Sequence, residues 1–576
     1  MIDPIEVPPP PPARLLIVAL YALVVVLAWG GTELWGLGKA PFHTKGEPRE
    51  GLVVWEMTHG GGWVLPRRNG VELPSKPPLF HWLGAVTSLV HGNTDEWSIR
   101  FPSAALSLGA LLCVFAAGTA LWTPRAGLVS ALTLMTTFEW ARAATGARVD
   151  MTLTFGLQLA LFSLLFFLRP RRPGWLLPLY AGIILAVLGK GPVGAALPGL
   201  VALSMLLIAR DFGPLREMRL GTGALAVTLG AGSWYLMALV LGGWAFFRKQ
   251  VLAENLFTFL NSPQFGGGHR HPATYLLGAL LLGMLPWTLC VPAAVSRLWR
   301  QRGSIGRTDG RLFLLVWIAI VFGFYAIAAS KRSVYLLGLY PAVALLLGWW
   351  WDEQMRAASE DADDWVAPVL AYSAWTLLVA TGLLLLGIVL ENLGAPVVTT
   401  VQRFLAPAAV PVTHAIGALL RSARWPLLGL LLLLALTLAA TIRAAAARHW
   451  VGLFAAVCIT IVTTIIAVNQ VIMPGIAQYQ SLRRFMSAVR AVVGPHGGLF
   501  FYKAFEYEAV FYWGAHIPSY DGPWTASAPP YLLMDKSQWE EAQRTGQGQF
   551  QLVPLPEDAD GGSDQRLVLI RRVDAP

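Results

Sequence analysis

Residues 150–168 read DMTLTFGLQLALFSLLFFL, and the basic stretch Arg169-Pro170-Arg171-Arg172 follows directly. A helix needs about 20 mostly apolar residues to cross the hydrocarbon core of a bilayer. This stretch therefore predicts a membrane-spanning helix with an acid, Asp150, at one end and arginines at the other.

The rest of the chain repeats this pattern. Of its 576 residues, 55% are hydrophobic and 13% are charged, with a mean hydropathy of +0.56. Soluble domains carry about 25% charged residues, so the composition excludes a soluble enzyme and a disordered protein. We predict an all-α polytopic membrane protein of about 13 transmembrane helices, with a small C-terminal α/β domain on the outer face. The apolar runs are 14–36, 100–121, 124–141, 150–168, 174–189, 191–209, 220–241, 273–295, 311–329, 334–351, 366–389, 425–443 and 449–471.

Basic residues between the runs predict the orientation. The segments 169–172, 210–219 and 296–311 are rich in arginine, and such short loops stay in the cytoplasm. We expect a cytoplasmic N-terminus and, because the number of spans is odd, an outer C-terminus. The first run follows prolines 8–12 and lacks a small-residue cleavage site, so we expect it to remain as an anchor.

Three outer segments, 37–99, 242–272 and 390–424, are too long to be simple connectors, and long structured loops often carry function. The tail from about 475 has the polar composition of a soluble domain. We therefore divide the chain into a transmembrane domain, 1–474, and an outer α/β domain, 475–576. The tail pattern predicts helices at 480–493 and 536–545 and strands at 498–502, 531–534, 550–554 and 566–572.

Charged residues at the outer ends of the runs contradict the usual charge distribution and are candidates for function. These ends belong to at least five spans, which would converge on one cavity in a bundle. A cationic cavity at the outer face suits an anionic lipid headgroup, most simply a phosphate. The outer set is Arg49, Lys76, Arg142, Arg148, Asp150, Lys190, Arg270, Lys331 and Arg332.

The first outer segment is the densest in such residues. Residues 49–59 and 76–91 alternate apolar and polar positions at helical spacing, which predicts two amphipathic helices in the interface. Lys76 precedes two prolines, so its backbone is expected to be extended. By contrast, Trp349-Trp350-Trp351 ends a span, and we interpret this cluster as an interfacial belt.

These motifs resemble the aminoarabinose transferase and protein O-mannosyltransferase superfamily, which comprises membrane glycosyltransferases of the GT-C fold. The resemblance covers essentially the whole chain. Its motifs are Glu47-Pro48-Arg49, Gly62-Trp63-Val64-Leu65-Pro66, Asn69-Gly70, Lys76-Pro77-Pro78, Arg142 to Thr154, Gly189-Lys190-Gly191-Pro192, Glu254-Asn255, His271-Pro272, Tyr275, Pro286-Trp287, Ser330-Lys331-Arg332, Tyr335 and Tyr340-Pro341.

The resemblance implies that a sugar moves from a polyprenyl-phosphate donor, such as undecaprenyl phosphate, to an envelope acceptor. Arg49 and Lys76 match the family's phosphate-contacting positions. Lys190, Arg270, Lys331 and Arg332 are further candidates for binding the donor phosphate. Other residues expected in the cavity are Glu50, Arg142, Arg148, His271 and Tyr335.

The sequence departs from the family at the acid usually assigned to catalysis. That acid lies thirty positions before the motif lysine, where this chain has Gly46, and Ser75 replaces the acid before the lysine. Glu47 and Asp150 are therefore the candidate catalytic bases. A phosphate acceptor, which is already ionised, would need less help from a base and would fit the loss of the acid at Gly46.

Several alternatives stay open. The acceptor is expected to be lipid A or a related glycolipid, with a protein as the alternative; a transporter or flippase for lipid-linked saccharides would also need a cationic cavity. The sequence specifies no particular cofactor and leaves a divalent metal open, with His269, His271 and Glu47 as the candidate ligands. We expect membrane lipid but no nucleic acid as a partner, and a location in the bacterial inner membrane with the C-terminal domain in the periplasm.

Overall fold

The computed structural model of the chain describes residues 12–169, 171–257, 271–356, 365–393, 397, 400, 423–494, 497–525, 528–544, 550–556 and 567–573. Its architecture confirms the predicted fold class, since it is a mostly helical membrane protein with a small C-terminal sheet. Of the long outer segments, the first is fully described. Most of 390–424 and the part of 242–272 that contains Arg270 lie outside the described residues.

Ten helices in these ranges are long and apolar enough to cross a membrane. The pair Ala273–Gly283 and Trp287–Arg300 is bent by 101° and makes an eleventh if it is counted as one span. The ten are Ala13–Leu34, Glu96–Leu121, Asp150–Leu168, Pro173–Lys190, Leu220–Asn255, Gly310–Ile327, Ser333–Gln354, Val366–Asn392, Arg424–Ala446 and Trp450–Gln480. The shorter helices are Gly46–Thr58, Leu79–His91, Pro124–Met135, Phe138–Ala144, Val193–Ala209, Gly213–Glu217, Arg483–Val493, Tyr507–Trp513 and Lys536–Arg544.

The difference from thirteen predicted spans arises mainly in two places. The run 124–141 is broken at Thr136 and Thr137, whose hydroxyls donate to carbonyls of the preceding turn while the Phe138 amide donates to Leu285 O at 3.1 Å. The run 191–209 forms the helix Val193–Ala209, which is shorter than a full span. Periodicity alone did not reveal that the backbone leaves the helix at two threonines.

The helix Glu96–Leu121 begins four residues before the predicted start at 100. Asp95 accepts the Ser98 amide at 2.9 Å, and Ser98 Oγ accepts the Asp95 amide at 3.0 Å, so the two residues form a capping box. This cap places Arg100 in the first turns of the helix, where its side chain is buried.

The helices Asp150–Leu168 and Leu176–Lys190 form a close antiparallel hairpin. A Cβ atom at Gly156 would lie 2.5 Å from the Ala186 nitrogen, and one at Gly182 would lie 2.5 Å from the Ala160 nitrogen. Small residues at such a crossing let two helix backbones touch. The hairpin brings Asp150, at the start of one helix, beside Lys190, at the end of the other.

The C-terminal region contains a five-stranded mixed sheet. Its strands are β1, Leu499–Tyr502; β2, Ser519–Tyr520; β3, Tyr531–Asp535; β4, Phe550–Leu552; and β5, Leu567–Arg572. In the order β2-β1-β3-β5-β4, β1 is parallel to both neighbours, whereas β5 is antiparallel to both of its own. The sequence predicted four of these strands and two of the helices, but it missed β2 and the short helix Tyr507–Trp513.

This sheet region is packed against the first outer segment. Phe42 and Phe511 have ring centroids 5.0 Å apart within a shared apolar core. The Asn69 side chain forms two hydrogen bonds with the backbone of Ile517, at 2.8 and 2.9 Å. The first outer segment and the C-terminal region are therefore held together by both apolar and polar contacts.

The interpretation of Trp349, Trp350 and Trp351 as an interfacial belt is wrong. All three are buried, Trp350 and Trp351 completely. The Trp351 ring packs against Trp450 and Phe454, with centroid distances of 5.8 and 5.2 Å. Neighbouring helices surround this span end, so the indoles fill the core and do not face lipid headgroups.

The close hairpin predicts a difference between two glycine substitutions. Gly156→Ala should lower the thermal stability of the purified protein, by roughly 1–3 kcal/mol, because the new methyl group overpacks the crossing. Gly323→Ala is the matched control, since a Cβ atom there meets nothing within 4 Å. It should leave stability unchanged or raise it. Equal unfolding temperatures for the two variants would contradict a close crossing at Gly156.

Candidate functional site

The first element of the site is the ion pair between Asp150 and Lys190. Lys190 Nζ donates to Asp150 Oδ1, and both side chains are nearly buried. The same ammonium lies 4.3 Å from the ring centroid of Tyr335, which packs on Tyr325. Asp150 also interacts electrostatically with Arg148 and Lys76. The hairpin end thus joins several predicted site residues into one charged cluster.

Lys76 lies in the proline-rich turn of the first outer segment. Its Nζ donates to Glu254 Oε2 at 2.8 Å, and both side chains are partly exposed. Gln250 donates to the carbonyls of Pro74 and Lys76, at 2.8 and 3.0 Å. Because the nitrogens of Pro77 and Pro78 cannot donate, this buried glutamine supplies hydrogen bonds that fix the turn. The segment carrying Glu254 therefore both holds the turn and neutralises its lysine.

Arg49 lies one turn into the helix Gly46–Thr58. Its Nη2 donates to Glu50 Oε1 at 2.7 Å, while His81 Nε2 lies 2.8 Å from Glu50 Oε2. Burial alone would raise the pKa of Glu50, but Arg49 and His81 outweigh it and hold the pKa well below its ordinary value. Arg49 also interacts electrostatically with Glu254. Arg49 and Lys76 consequently share one acidic neighbour.

Glu47 is engaged in a different network. Its two oxygens accept from Arg100 at 2.7 and 3.0 Å, and Oε1 also accepts the Ala147 amide at 3.0 Å. Burial opposes ionisation, yet the Arg100 cation and these hydrogen bonds keep the pKa of Glu47 below its ordinary value. A carboxylate held in this way is a weak proton acceptor. Through Arg100, Glu47 holds the helix Gly46–Thr58 against the helix Glu96–Leu121.

The remaining cations differ in their partners. Arg142 pairs with Glu139, whose Oε1 also accepts from Ser333 at 3.4 Å. Lys331 is 7% exposed and donates to Ala328 O at 2.6 Å. Within the described ranges neither Lys331 nor Arg148 forms a salt bridge, and Arg332 is exposed. A nearly buried lysine that forms no salt bridge among the described residues is a candidate for receiving an anion.

Two of the predicted site residues, Arg270 and His271, are not part of the described charged cluster. Arg270 lies outside the described residues, as does His269. His271 is exposed and stacks on Tyr275, with ring centroids 4.2 Å apart. No group of three His, Cys, Asp or Glu side chains that could hold a metal occurs in the described part of the chain. The residues there do not form a metal site, and Glu47 is already bound to Arg100.

Several residues near the site were not predicted. Arg100, Glu139 and Gln250 are involved through contacts that no local pattern reveals. Tyr325 and Tyr340 have buried hydroxyls for which the described residues provide no hydrogen-bond partner. Tyr340 belongs to the Tyr340-Pro341 motif named above, whereas the one signal for Tyr325 is a polar group in the middle of an apolar run.

Comparisons with known proteins agree with this architecture. The family model described as dolichyl-phosphate-mannose-protein mannosyltransferase matches residues 75–229. An undecaprenyl phosphate-alpha-4-amino-4-deoxy-L-arabinose arabinosyl transferase of Pseudomonas aeruginosa is 30% identical over 316 residues, which are 52% of this chain and 54% of the relative. A Pseudomonas fluorescens arabinosyl transferase of the same kind is 27% identical over 52% of each chain. The matches therefore span about half the length of these curated relatives.

Solved structures extend the similarity in fold to nearly the whole chain. The crystal structure of ArnT from Cupriavidus metallidurans bound to undecaprenyl phosphate superposes with a TM-score of 0.74 at 20% identity, covering 97% of this chain and 99% of that one. The apo structure of the same protein gives a TM-score of 0.72. The resemblance predicted from the motifs is thus confirmed as a similarity: the chain shares the fold of this ArnT structure and resembles the arabinosyl transferases in sequence over about half of its length.

Proposed function

We propose that the chain is a glycosyltransferase that moves a sugar from a polyprenyl-phosphate donor to lipid A or a related glycolipid. The observation that carries this proposal is the charged cluster in which Asp150 pairs with Lys190 and interacts with Arg148 and Lys76, while Lys76 is balanced by Glu254. The names of the arabinosyl transferase relatives and the undecaprenyl phosphate bound to the ArnT structure support it.

In this proposal the donor phosphate binds between Arg49 and Lys76. Both cations have an acid partner or neighbour, but Glu254 lies on a separate segment and its side chain is partly exposed. A donor phosphate would displace Glu254 and take over its contact with Lys76. Lys190, Lys331, Arg332 and Arg270 are the further candidates for donor contacts.

The reaction breaks the bond between the anomeric carbon and the phosphate oxygen, and the electron pair stays on the departing lipid phosphate. The acceptor oxygen forms the new bond to carbon. Cations placed around the departing phosphate stabilise the charge that develops there. If the acceptor is a hydroxyl, a base must take its proton, and Asp150 is our candidate because it pairs with Lys190 and interacts electrostatically with Arg148 and Lys76. A phosphate acceptor would need no such base, which fits the glycine at position 46.

The family match at residues 75–229 supports protein as the alternative acceptor, because it is described as a protein mannosyltransferase. A panel of lipid A, other glycolipids and protein acceptors would separate the two. We further propose the division into 1–474 and 475–576, with a cytoplasmic N-terminus and the sheet region in the periplasm of a bacterial inner membrane.

The phosphate assignment predicts the outcome of a transfer assay. With purified protein and polyprenyl-phosphate sugars, Lys76→Ala and Arg49→Ala should each reduce release of sugar from the donor by at least roughly a hundredfold, as expected when a stabilising charge is removed. Arg67→Ala, which removes an exposed cation from the same outer segment, is the control and should stay near wild type. Near-normal turnover in the first two variants would contradict the assignment. Donor translocation without sugar release would favour a transporter.

The Glu254 contact predicts a gain in donor affinity. Glu254→Gln should lower the dissociation constant for polyprenyl phosphate several-fold, because Lys76 no longer has to give up a charged partner. Glu72→Gln is the matched control, since Glu72 pairs with Lys249 and not with Lys76. Titration of polyprenyl phosphate into each variant measures the effect. An unchanged or weaker affinity of Glu254→Gln for polyprenyl phosphate would contradict the proposed displacement of Glu254 by the donor phosphate.

The two candidate acids should behave differently. Glu47→Gln should destabilise the protein, by about 3–5 kcal/mol, because it leaves Arg100 buried beside a neutral group. Its turnover per folded molecule should be largely retained, whereas Asp150→Asn should lose turnover with hydroxyl acceptors. Thermal unfolding and active-site-normalised rates separate these effects. A stable but inactive Glu47→Gln protein would instead assign the base to Glu47.

A further inference from the structure

A cavity with a volume of about 170 Å³ lies away from the cationic cluster described above. It opens between three helix ends. Leu168 and Arg169 close the helix Asp150–Leu168, Ala209 ends the helix Val193–Ala209, and Arg307 precedes the helix Gly310–Ile327.

This cavity lies at the opposite end of the membrane bundle from the candidate site. Asp150 begins the helix that ends beside Arg169, and a helix of this length spans about 27 Å at 1.5 Å per residue. The cavity therefore belongs to the face that carries the arginine-rich connections 169–172, 210–219 and 296–311. It cannot be an extension of the donor site.

The lining of the cavity is amphipathic. Its floor is apolar and buried, with Leu165, Met205, Leu206 and Phe313 all at most 5% exposed. Its rim carries guanidinium groups and is exposed to solvent. A pocket with an apolar floor and a cationic rim at a membrane boundary is complementary to an anionic lipid headgroup.

The charge on the rim is only partly compensated. Arg171 is paired with both Asp211 and Glu217. Arg307 donates to the Ala209 carbonyl at 3.5 Å. Arg169 interacts with Asp309, but Asp309 is already bound to Arg311 at 2.7 Å.

Arg169 and Arg307 form no salt bridge with any residue in the described ranges. Two guanidinium groups are therefore available at the cavity mouth. Guanidinium groups bind phosphate through paired donors.

We propose that this cavity binds the phosphate-bearing headgroup of an anionic membrane glycerophospholipid, held by Arg169 and Arg307. The volume is below the roughly 300 Å³ of a site for a whole drug-sized ligand, so the cavity holds only the headgroup. A membrane lipid, and not free phosphate, is the ligand because the guanidinium groups lie over a floor of apolar side chains, Leu165, Met205, Leu206 and Phe313, at the end of the membrane bundle.

The test compares binding of phosphatidylglycerol and phosphatidylcholine to the purified full chain by native mass spectrometry and by thermal shift. Wild type should retain phosphatidylglycerol preferentially. The double variant Arg169→Gln/Arg307→Gln should weaken that binding by roughly tenfold or more, since each cation contributes about 1 kcal/mol to anionic lipid binding. The control Arg172→Gln/Arg302→Gln removes two arginines from the same face but outside the cavity lining, and it should bind normally.

A second variant tests the cavity without changing its charge. Ala209→Leu fills space beside the floor and should also weaken phosphatidylglycerol binding while both arginines remain. If the two arginine double variants lost phosphatidylglycerol binding equally, the proposal would be overturned, because the result would indicate general electrostatic attraction to the surface. An equal thermal shift with inorganic phosphate alone and with the lipid would overturn the proposal as well. So would binding of phosphatidylglycerol by Ala209→Leu at the wild-type level.

Discussion

Two helix backbones meet at Gly156 and Gly182, and this contact determines where the charged residues at the open end of the hairpin lie. Because the hairpin is antiparallel, the closest approach in its middle brings its open ends together, with Asp150 on one and Lys190 on the other. A side chain at either glycine would push the two ends apart. The position of the ion pair, and of Tyr335 beneath the lysine, therefore depends on residues that carry no charge and lie turns away.

A second set of contacts determines how the first outer segment covers this end of the bundle. Asn69 joins it to Ile517 in the C-terminal region, and Tyr507 donates to Glu72 at 2.7 Å. Glu72 in turn accepts from Lys249, on the segment that carries Glu254. The side chains of Tyr507, Glu72 and Lys249 thus connect the C-terminal region to the segment whose Glu254 pairs with Lys76.

Much of this arrangement could be predicted from local patterns. The helices expected at 49–59 and 76–91 are observed at 46–58 and 79–91, because their apolar faces recur at helical spacing. What could not be predicted is pairing across the chain. Lys76 meets Glu254 over a separation of 178 positions, and Glu47 meets Arg100 only because both helices pack on one core. The burial of Trp351 likewise depends on which helices become neighbours, so its position at a span end was misleading.

The Lys76–Glu254 pair also affects which anions the site retains. An unbalanced lysine at a membrane surface would collect any small anion from the surrounding fluid. With Glu254 in contact, a competitor must first replace a carboxylate that is tethered to the same molecule and so is present at a high local concentration. A dissolved anion has no comparable advantage, whereas a phosphate on a long apolar chain is concentrated in the plane of the bilayer. In the proposed donor site, the built-in counter-ion would thus favour membrane-anchored phosphates over dissolved ones.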